Sequence, residues 1–304
     1  MTMTVDRQEF LERRKSGIGG SDVAVVLGLS KWKTPYQLWQ EKTGKIVIDD
    51  DDKSELFHFG NVLEDVIAQE FARRNDVQVQ RRNRLFRADN CLIANIDRYI
   101  VGKNAILECK TADKFTRHLW GAEEDGDEIP EYYLTQVMHY MYVTNYRDSH
   151  LAVLIGGNEY RQFHIEYNAD LAEMLAEKCV NFWTQHVLAD IPPAAINNED
   201  LLEMYKASSG KVISANERII ESVESLKVVK DQLKGLEEQK ENLEFEIKSF
   251  MADADTLVSP DGAKFATWKK SITNRLDTKK IKAELPEVAE QYTSQSVSRR
   301  FLLK

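Results

Sequence analysis

The stretch CLIANIDRYIVGKNAILECKTA, residues 91–112, decides how the chain is read. Two apolar runs flank the turn residues Gly102, Lys103 and Asn104, the pattern of an antiparallel hairpin. Side chains alternate along a strand, so Glu108 and Lys110 project together while Cys109 faces the other way. Asp97 precedes the turn on the neighbouring strand, and the antiparallel return brings it beside Glu108. Two close carboxylates repel and raise each other's pKa, so such a pair persists when a cation sits between them. A hard ion such as Mg²⁺ takes carboxylate and backbone carbonyl oxygens and keeps waters, leaving room for a phosphate oxygen. The expected ligands are Asp97, Glu108 and the backbone carbonyl of Cys109. Lys110 would orient or help deprotonate water and offset charge on the phosphate. The reaction class is metal-assisted phosphodiester hydrolysis. An exposed ion pair gives the same Glu-x-Lys spelling. The apolar AIL before Glu108 and LIANI before Asp97 favour a site, because central strands seldom carry two acids without use.

Upstream, Val77–Gln80 and Arg84–Arg87 read as strands that join the hairpin in a β-meander, with a turn at Ala88-Asp89-Asn90. Before them, Val62, Leu63, Val66, Ile67 and Phe71 fall at helical spacing from Gly60 to about Arg74. Glu64 therefore lies on a mostly buried helix and is a third carboxylate able to reach the same metal or a second one. SDVAVVLGL, residues 21–29, reads as a short helix capped by Ser21 or Asp22. Another opens at Thr34-Pro35, runs through Trp39 and closes at Gly44. A helix over 131–144, strands around LAVLIGG and YRQFHIEY, and an amphipathic helix over 169–188 complete the domain. IPPAA, residues 191–195, marks its boundary. The fold class is α/β (α+β): a central mixed sheet flanked by helices over residues 1–195, then a C-terminal extension over 196–304.

In the extension, Ile219, Leu226, Leu233 and Ile247 repeat by sevens, and Val229, Leu236, Leu243 and Phe250 follow three residues later. Lys240 interrupts the first row and Gly235 weakens the seam. A heptad helix over about 215–252 follows, either an intermolecular coiled coil or a helix packed on its own domain. Pro260-Asp261-Gly262 sets a β-hairpin, and SVSRRFLLK reads as a final strand.

Composition bounds the function. The 304 residues are 42% hydrophobic and 30% charged, which excludes disordered and fibrous classes. No run reaches a membrane span and the N-terminus lacks a signal-peptide pattern, so a cytosolic location is expected. Cys91, Cys109 and Cys179 are too few and too scattered for a four-thiolate iron–sulfur or zinc site, and buried thiols are expected. The net charge of −9 at first argues against DNA, yet residues 201–304 are nearly balanced and the acidity is N-terminal. Part of it lies in solvent loops at 49–52 and 123–128. Arg73, Arg74, Arg81, Arg82 and Arg84 either line a DNA path or form solvated faces.

The Asp97, Glu108-x-Lys110 pattern resembles the PD-(D/E)xK nuclease superfamily. RRKSGIGGSDVAVVLGLSKWKTPYQLW (13–39), GNVLEDVIAQEF (60–71), ANIDRYI (94–100), LECKTA (107–112) and YLTQVMHYMYVTN (133–145) are similar to the consecutive motifs of the YqaJ-type viral recombinase nucleases, relatives of phage lambda exonuclease. The resemblance runs from about residue 9 to residue 190. It implies a PD-(D/E)xK core with Glu64 as the helix glutamate, Asp97 and Glu108 as principal metal ligands and Lys110 as the catalytic lysine. It also implies Gln136 near the scissile phosphate and Arg14 and Ser21 as receivers of a terminal 5′-phosphate. Gly19 and Gly20 would let backbone approach that anion. The activity implied is a Mg²⁺-dependent, or Mn²⁺-dependent, exodeoxyribonuclease working 5′ to 3′ from double-stranded DNA ends, leaving 3′ tails for phage-type homologous recombination. A homo-oligomer, such as a trimeric ring, and a single-strand annealing partner are implied with it. Arg98 stands where such proteins often carry glycine, and would either touch phosphate or face solvent. Trp32, Tyr36 and Trp39 would stack at a DNA end or pack in the core, and His118 and His139 are further site neighbours. The competing readings are an endonuclease of the same superfamily, and a non-catalytic DNA-end-binding adaptor whose mark would be an incomplete ligand set.

Overall fold

A computed structural model of the chain describes residues 12, 14–46, 54–82, 84–89, 91–121, 128–294 and 298–304. The acidic runs at 49–52 and 123–127 lie outside them. Two compact units result, 1–203 and 204–304.

In the first unit the elements are α1 (Gly20–Val26), α2 (Pro35–Lys42), α3 (Ser54–Asn75), β1 (Val79–Gln80), β2 (Phe86–Ala88), β3 (Leu92–Ala94), β4 (Arg98–Ile100), β5 (Ala105–Ala112), α4 (Glu131–Thr144), β6 (Asp148–Ile155), β7 (Glu159–Glu166) and α5 (Ala169–Phe182). The main sheet has the order β1-β4-β5-β6-β7. Only β5 and β6 run parallel, the crossover being made by α4; the other pairs are antiparallel. The result is the expected mixed sheet flanked by helices.

The meander is not what forms. The run 91–101 breaks between Ala94 and Arg98, so that β3 pairs with β2 in a separate two-stranded sheet while β4 joins the main one. Backbone accounting gives the reason. Ile18 bridges β3, its N–H donating to the Cys91 carbonyl at 2.7 Å and its carbonyl accepting from Ile93 at 2.9 Å. Gly17 is needed for that approach, since a Cβ there would lie 2.3 Å from the Cys91 oxygen. The glycine-rich segment thereby occupies hydrogen-bonding groups that a continuous meander would use.

Helix α3 begins earlier than its apolar spacing implies and buries a narrower stripe. Ile67, Ala68 and Phe71 pack with Ile100, Leu107, Cys109 and Ala152, with Leu63 against them, whereas Val62 and Val66 are exposed. Positions 63, 67 and 71 share one face at four-residue spacing, and only that face meets the sheet. Helix α2 is capped by Thr34, whose Oγ1 accepts from Gln37 N–H at 3.1 Å. α1 is entered from Gly19, not capped by Ser21; Asp22 accepts the Gly19 N–H at 3.0 Å. Tyr36 and Trp39 stack in the core and Trp32 is exposed. The expected helix over 169–188 is α5 continued by a π-helical turn at Trp183–Leu188. Past the prolines, α6 (Asn198–Met204) is tied back by buried Asp200, which accepts from Thr34 Oγ1 at 2.7 Å. All three cysteines are buried free thiols.

The second unit contains α7 (Glu217–Met251), the hairpin of β8 (Thr256–Val258) and β9 (Lys264–Thr267), and two short helices, α8 (Thr278–Glu284) and α9 (Pro286–Gln291), that periodicity did not announce. The eight seam residues of α7 are exposed, and Met251 is its buried residue. Residues 298–304 form no strand, a correction to the expected final strand. No helix among the described residues is long and apolar enough to cross a membrane.

Candidate active site

Strand β5 divides its side chains between two environments. Leu107 and Cys109 face the α3 layer, while Glu108 is buried on the other side, where Gln136 of α4 donates to its Oε1 at 2.7 Å. Lys110 Nζ meets the same oxygen at 2.6 Å. Glu108 Oε2 is buried without any hydrogen-bond partner. A fully desolvated carboxylate oxygen with no donor is costly unless something cationic meets it.

Asp97 stands just ahead of β4, and its Oδ2 accepts the Cys109 N–H at 2.9 Å. The register Arg98↔Leu107 puts Asp97 at the level of Glu108. Burial and the Glu108 charge push the Asp97 pKa well up, Glu64 adding and Lys110 opposing. Burial works against charge on Lys110, but Glu108 and Asp97 outweigh it and raise its pKa, so Lys110 is an ammonium. It lies over the Tyr133 ring, 5.0 Å from the centroid. Tyr140, one turn after Gln136, receives a hydrogen bond from the Gln136 amide at 2.9 Å. Burial and the negative charge of Glu108 push its hydroxyl pKa up, keeping it neutral.

Glu64 comes from the α3 side. Its Oε1 is held by Arg98 at 2.5 Å and by Arg81 at 2.7 Å. Arg98 is buried and also bridges Asp65 at 3.0 Å, so the solvent-facing alternative for it does not hold. It balances the helix acids instead. Arg82 and Arg84 lie over the Tyr99 and Phe86 rings, and Arg73 and Arg74 pair with Glu70.

The glycine motif reaches this cluster through packing. A Cβ on Gly20 would lie 2.4 Å from Tyr140 Cε1 and 3.0 Å from Gln136 Cγ, so the glycine lets α1 sit directly on the α4 residues that hold Glu108. Beside it, buried Asp22 pairs with Lys42 at 2.6 Å, and Arg14 adds to the positive field that, against burial, keeps Asp22 ionised. The Lys42 ammonium also donates to the Arg14 carbonyl at 2.7 Å. Ser21 is exposed on the first turn of α1. His139 is not a site neighbour: it is buried with its Nε2 on the Ile93 carbonyl at 2.9 Å. His118 is exposed and caps Phe115.

Asp97, Glu108, Lys110 and Gln136 thus converge, with Glu64 near enough to influence Asp97. Tyr133 and Tyr140 join them without having been picked out from sequence, and Arg98 joins them through Glu64. The signals were present: Tyr140 is four residues from Gln136 on the same helix face, and Arg98 is a charge inside a strand opposite the Glu64-Asp65 pair.

A family model described as the YqaJ-like viral recombinase domain matches residues 9–147. The uncharacterized protein YqaJ of Bacillus subtilis (strain 168) is 38% identical over 309 residues, covering 99% of this chain and 95% of that protein. Among solved structures, an alkaline exonuclease (LHK-Exo) from Laribacter hongkongensis aligns over 60% of this chain and 94% of its own, at 16% identity and a TM-score of 0.46. A phage-related exonuclease from Haemophilus somnus 129PT aligns over 57% of this chain and 96% of its own, at 9% identity and a TM-score of 0.39.

Proposed function

The chain belongs to the YqaJ-like viral recombinase domain family, and from that premise we propose that it is a divalent-metal-dependent 5′-to-3′ exodeoxyribonuclease that enters at double-stranded DNA ends and leaves 3′ single-stranded tails for phage-type recombination. The observation that carries the reading is the orphaned Glu108 Oε2, buried beside an Asp97 whose ionisation its neighbour opposes. The donor set fits a hard cation: Asp97 and Glu108, with the Cys109 carbonyl and Glu64 completing it, offer oxygen alone. Mg²⁺, or Mn²⁺, supplies Lewis-acid polarisation of the phosphodiester and a more acidic water when bound.

The side chains do the rest. Gln136 fixes the Glu108 carboxylate from α4 and lies near the scissile phosphate. Lys110, kept cationic by its two acidic neighbours, holds the attacking water and offsets phosphate charge. Arg98 and Arg81 hold Glu64 in place as a paired anion. Arg14 and Ser21 receive the terminal 5′-phosphate, a reading taken from the family motif and supported by the seating of α1 on Tyr140 and Gln136. The protein acts in the cytoplasm as a homo-oligomer, such as a trimeric ring, beside a single-strand annealing protein.

The test is digestion of a 5′-phosphorylated linear duplex with Mg²⁺, with EDTA, and with the Glu108→Ala and Lys110→Ala proteins. Cleavage by the parent, lost in the other three, is expected. Preference for the phosphorylated linear duplex over its unphosphorylated form, with closed circular DNA left intact, separates an exonuclease from an endonuclease. Cutting by both variants rejects the assignment.

A further inference from the structure

Across the sheet from Glu108 lies a second group of metal-binding side chains. β7 runs antiparallel to β6 with His150 directly opposite His164 and Asp148 opposite Glu166. Asp148 and His150, two apart on one strand, share a face, and His164 stands on that same face because paired residues project together. The β5 register pairs His150 with Leu107, so this is the α3 side and not the side of Glu108 and Lys110. The carboxylate and the two imidazoles present ligand atoms that all lie within 4.8 Å of one another.

We propose that Asp148, His150 and His164 bind a first-row transition ion of the Zn²⁺ class. Two imidazoles and one carboxylate suit Zn²⁺ and its neighbours and discriminate against Mg²⁺, which takes oxygen ligands. Zinc bonds to such ligands are about 2.0–2.2 Å long. Side-chain rotation alone therefore brings three donors this close onto one ion, with the fourth position left to water. The backbone is already fixed by the β6–β7 ladder. The Ser149 N–H donates to Asp148 Oδ1 at 3.0 Å, and the His150 ring packs on Phe71 with centroids 5.1 Å apart, so two of the three ligands are held from behind. The 2.5 Å approach of His164 Nε2 to Asp148 Oδ1 accounts for those two residues as a hydrogen-bonded pair. It gives no reason for His150 to stand third in the group. An ion here would clip β6 to β7 on the layer opposite the cleavage chemistry, independently of the nuclease reading.

Calorimetric titration of ZnCl₂ into tag-free, EDTA-treated full-length protein tests it. The experiment uses an Asp97→Asn/Glu108→Gln background, which silences the other cation site, and adds His164→Ala or Asp148→Asn. Both added changes fall on partly exposed side chains, and circular dichroism checks that the fold is kept. One Zn²⁺ per chain in the background protein is expected, with affinity falling about tenfold or more in each added variant, since loss of even an outer-shell partner costs that much. A thermal midpoint raised by ZnCl₂ in the background protein and unmoved in the His164→Ala protein would agree. No zinc binding in the background protein, or binding that survives both substitutions, overturns the site.

Discussion

The two faces of β5 show what a strand can do with adjacent positions. Toward α3, Leu107 and Cys109 are buried among Ile67, Phe71 and Ala152, and their contribution is apolar packing. Toward α4, Glu108 is equally buried yet holds a charge, an orphaned oxygen and a lysine. Equal burial therefore serves opposite ends: one face stabilises the fold, and the other accepts an electrostatic cost so that carboxylates and an ammonium are already in place.

The sharpest way to break this contrast is Glu108→Gln. Nuclease activity should fall about 10³-fold, the range seen when a group preorganised for developing charge is lost, while the metal-free thermal midpoint does not drop. Activity assays paired with thermal melts check both halves. A large fall in stability would place Glu108 with the packing residues.

On the other face, Leu107→Ala should cost about 2–5 kcal/mol in denaturant unfolding, with cleavage per folded molecule unchanged under conditions where the protein stays folded. Gly20→Ala probes the seam between the two roles. A methyl 2.4 Å from Tyr140 must displace the ring, so we expect about 1–3 kcal/mol of destabilisation accompanied by reduced cleavage, because Gln136 shifts with it.

The smallest effect is a pH dependence. Burial lowers the His139 pKa below its ordinary 6.5, the Ile93 carbonyl opposing, and His150 shifts the same way. The unfolded chain then takes up protons first, so this stability is complete above about pH 6.5 and declines as pH falls toward the folded-state values, by at most about 1.4 kcal/mol per pH unit for each group. His139→Gln, which keeps a donor for Ile93, should flatten the midpoint-against-pH curve between pH 7 and 5.

The grouping of Asp97, Glu108 and Lys110 was more legible in the sequence than the sheet around it. Alternation alone separated Glu108 and Lys110 from Cys109, since the strand period admits no other arrangement. The helix expected over about 131–144 forms over Glu131–Thr144, preceded by Pro130 and ended by Asn145 at positive φ. The break between Ala94 and Arg98 was not legible, because it depends on Ile18, more than seventy residues away, supplying backbone hydrogen bonds to β3. The ion pairs of Arg98 were not legible for a similar reason: its partners Glu64 and Asp65 are on another element. The Asp148, His150 and His164 grouping was invisible without the β6–β7 register. The seam on α7 was found, but its exposure could be known only from the fold.

Gln136 and Glu108 meet only when α4 has crossed over and β6 has been laid parallel to β5. Such non-local pairings form late, after the cost of closing long loops has been met. A chain that stops short of β6 therefore lacks the crossover that seats Gln136 on Glu108, so this contact belongs to the completed sheet and not to the β4–β5 hairpin alone.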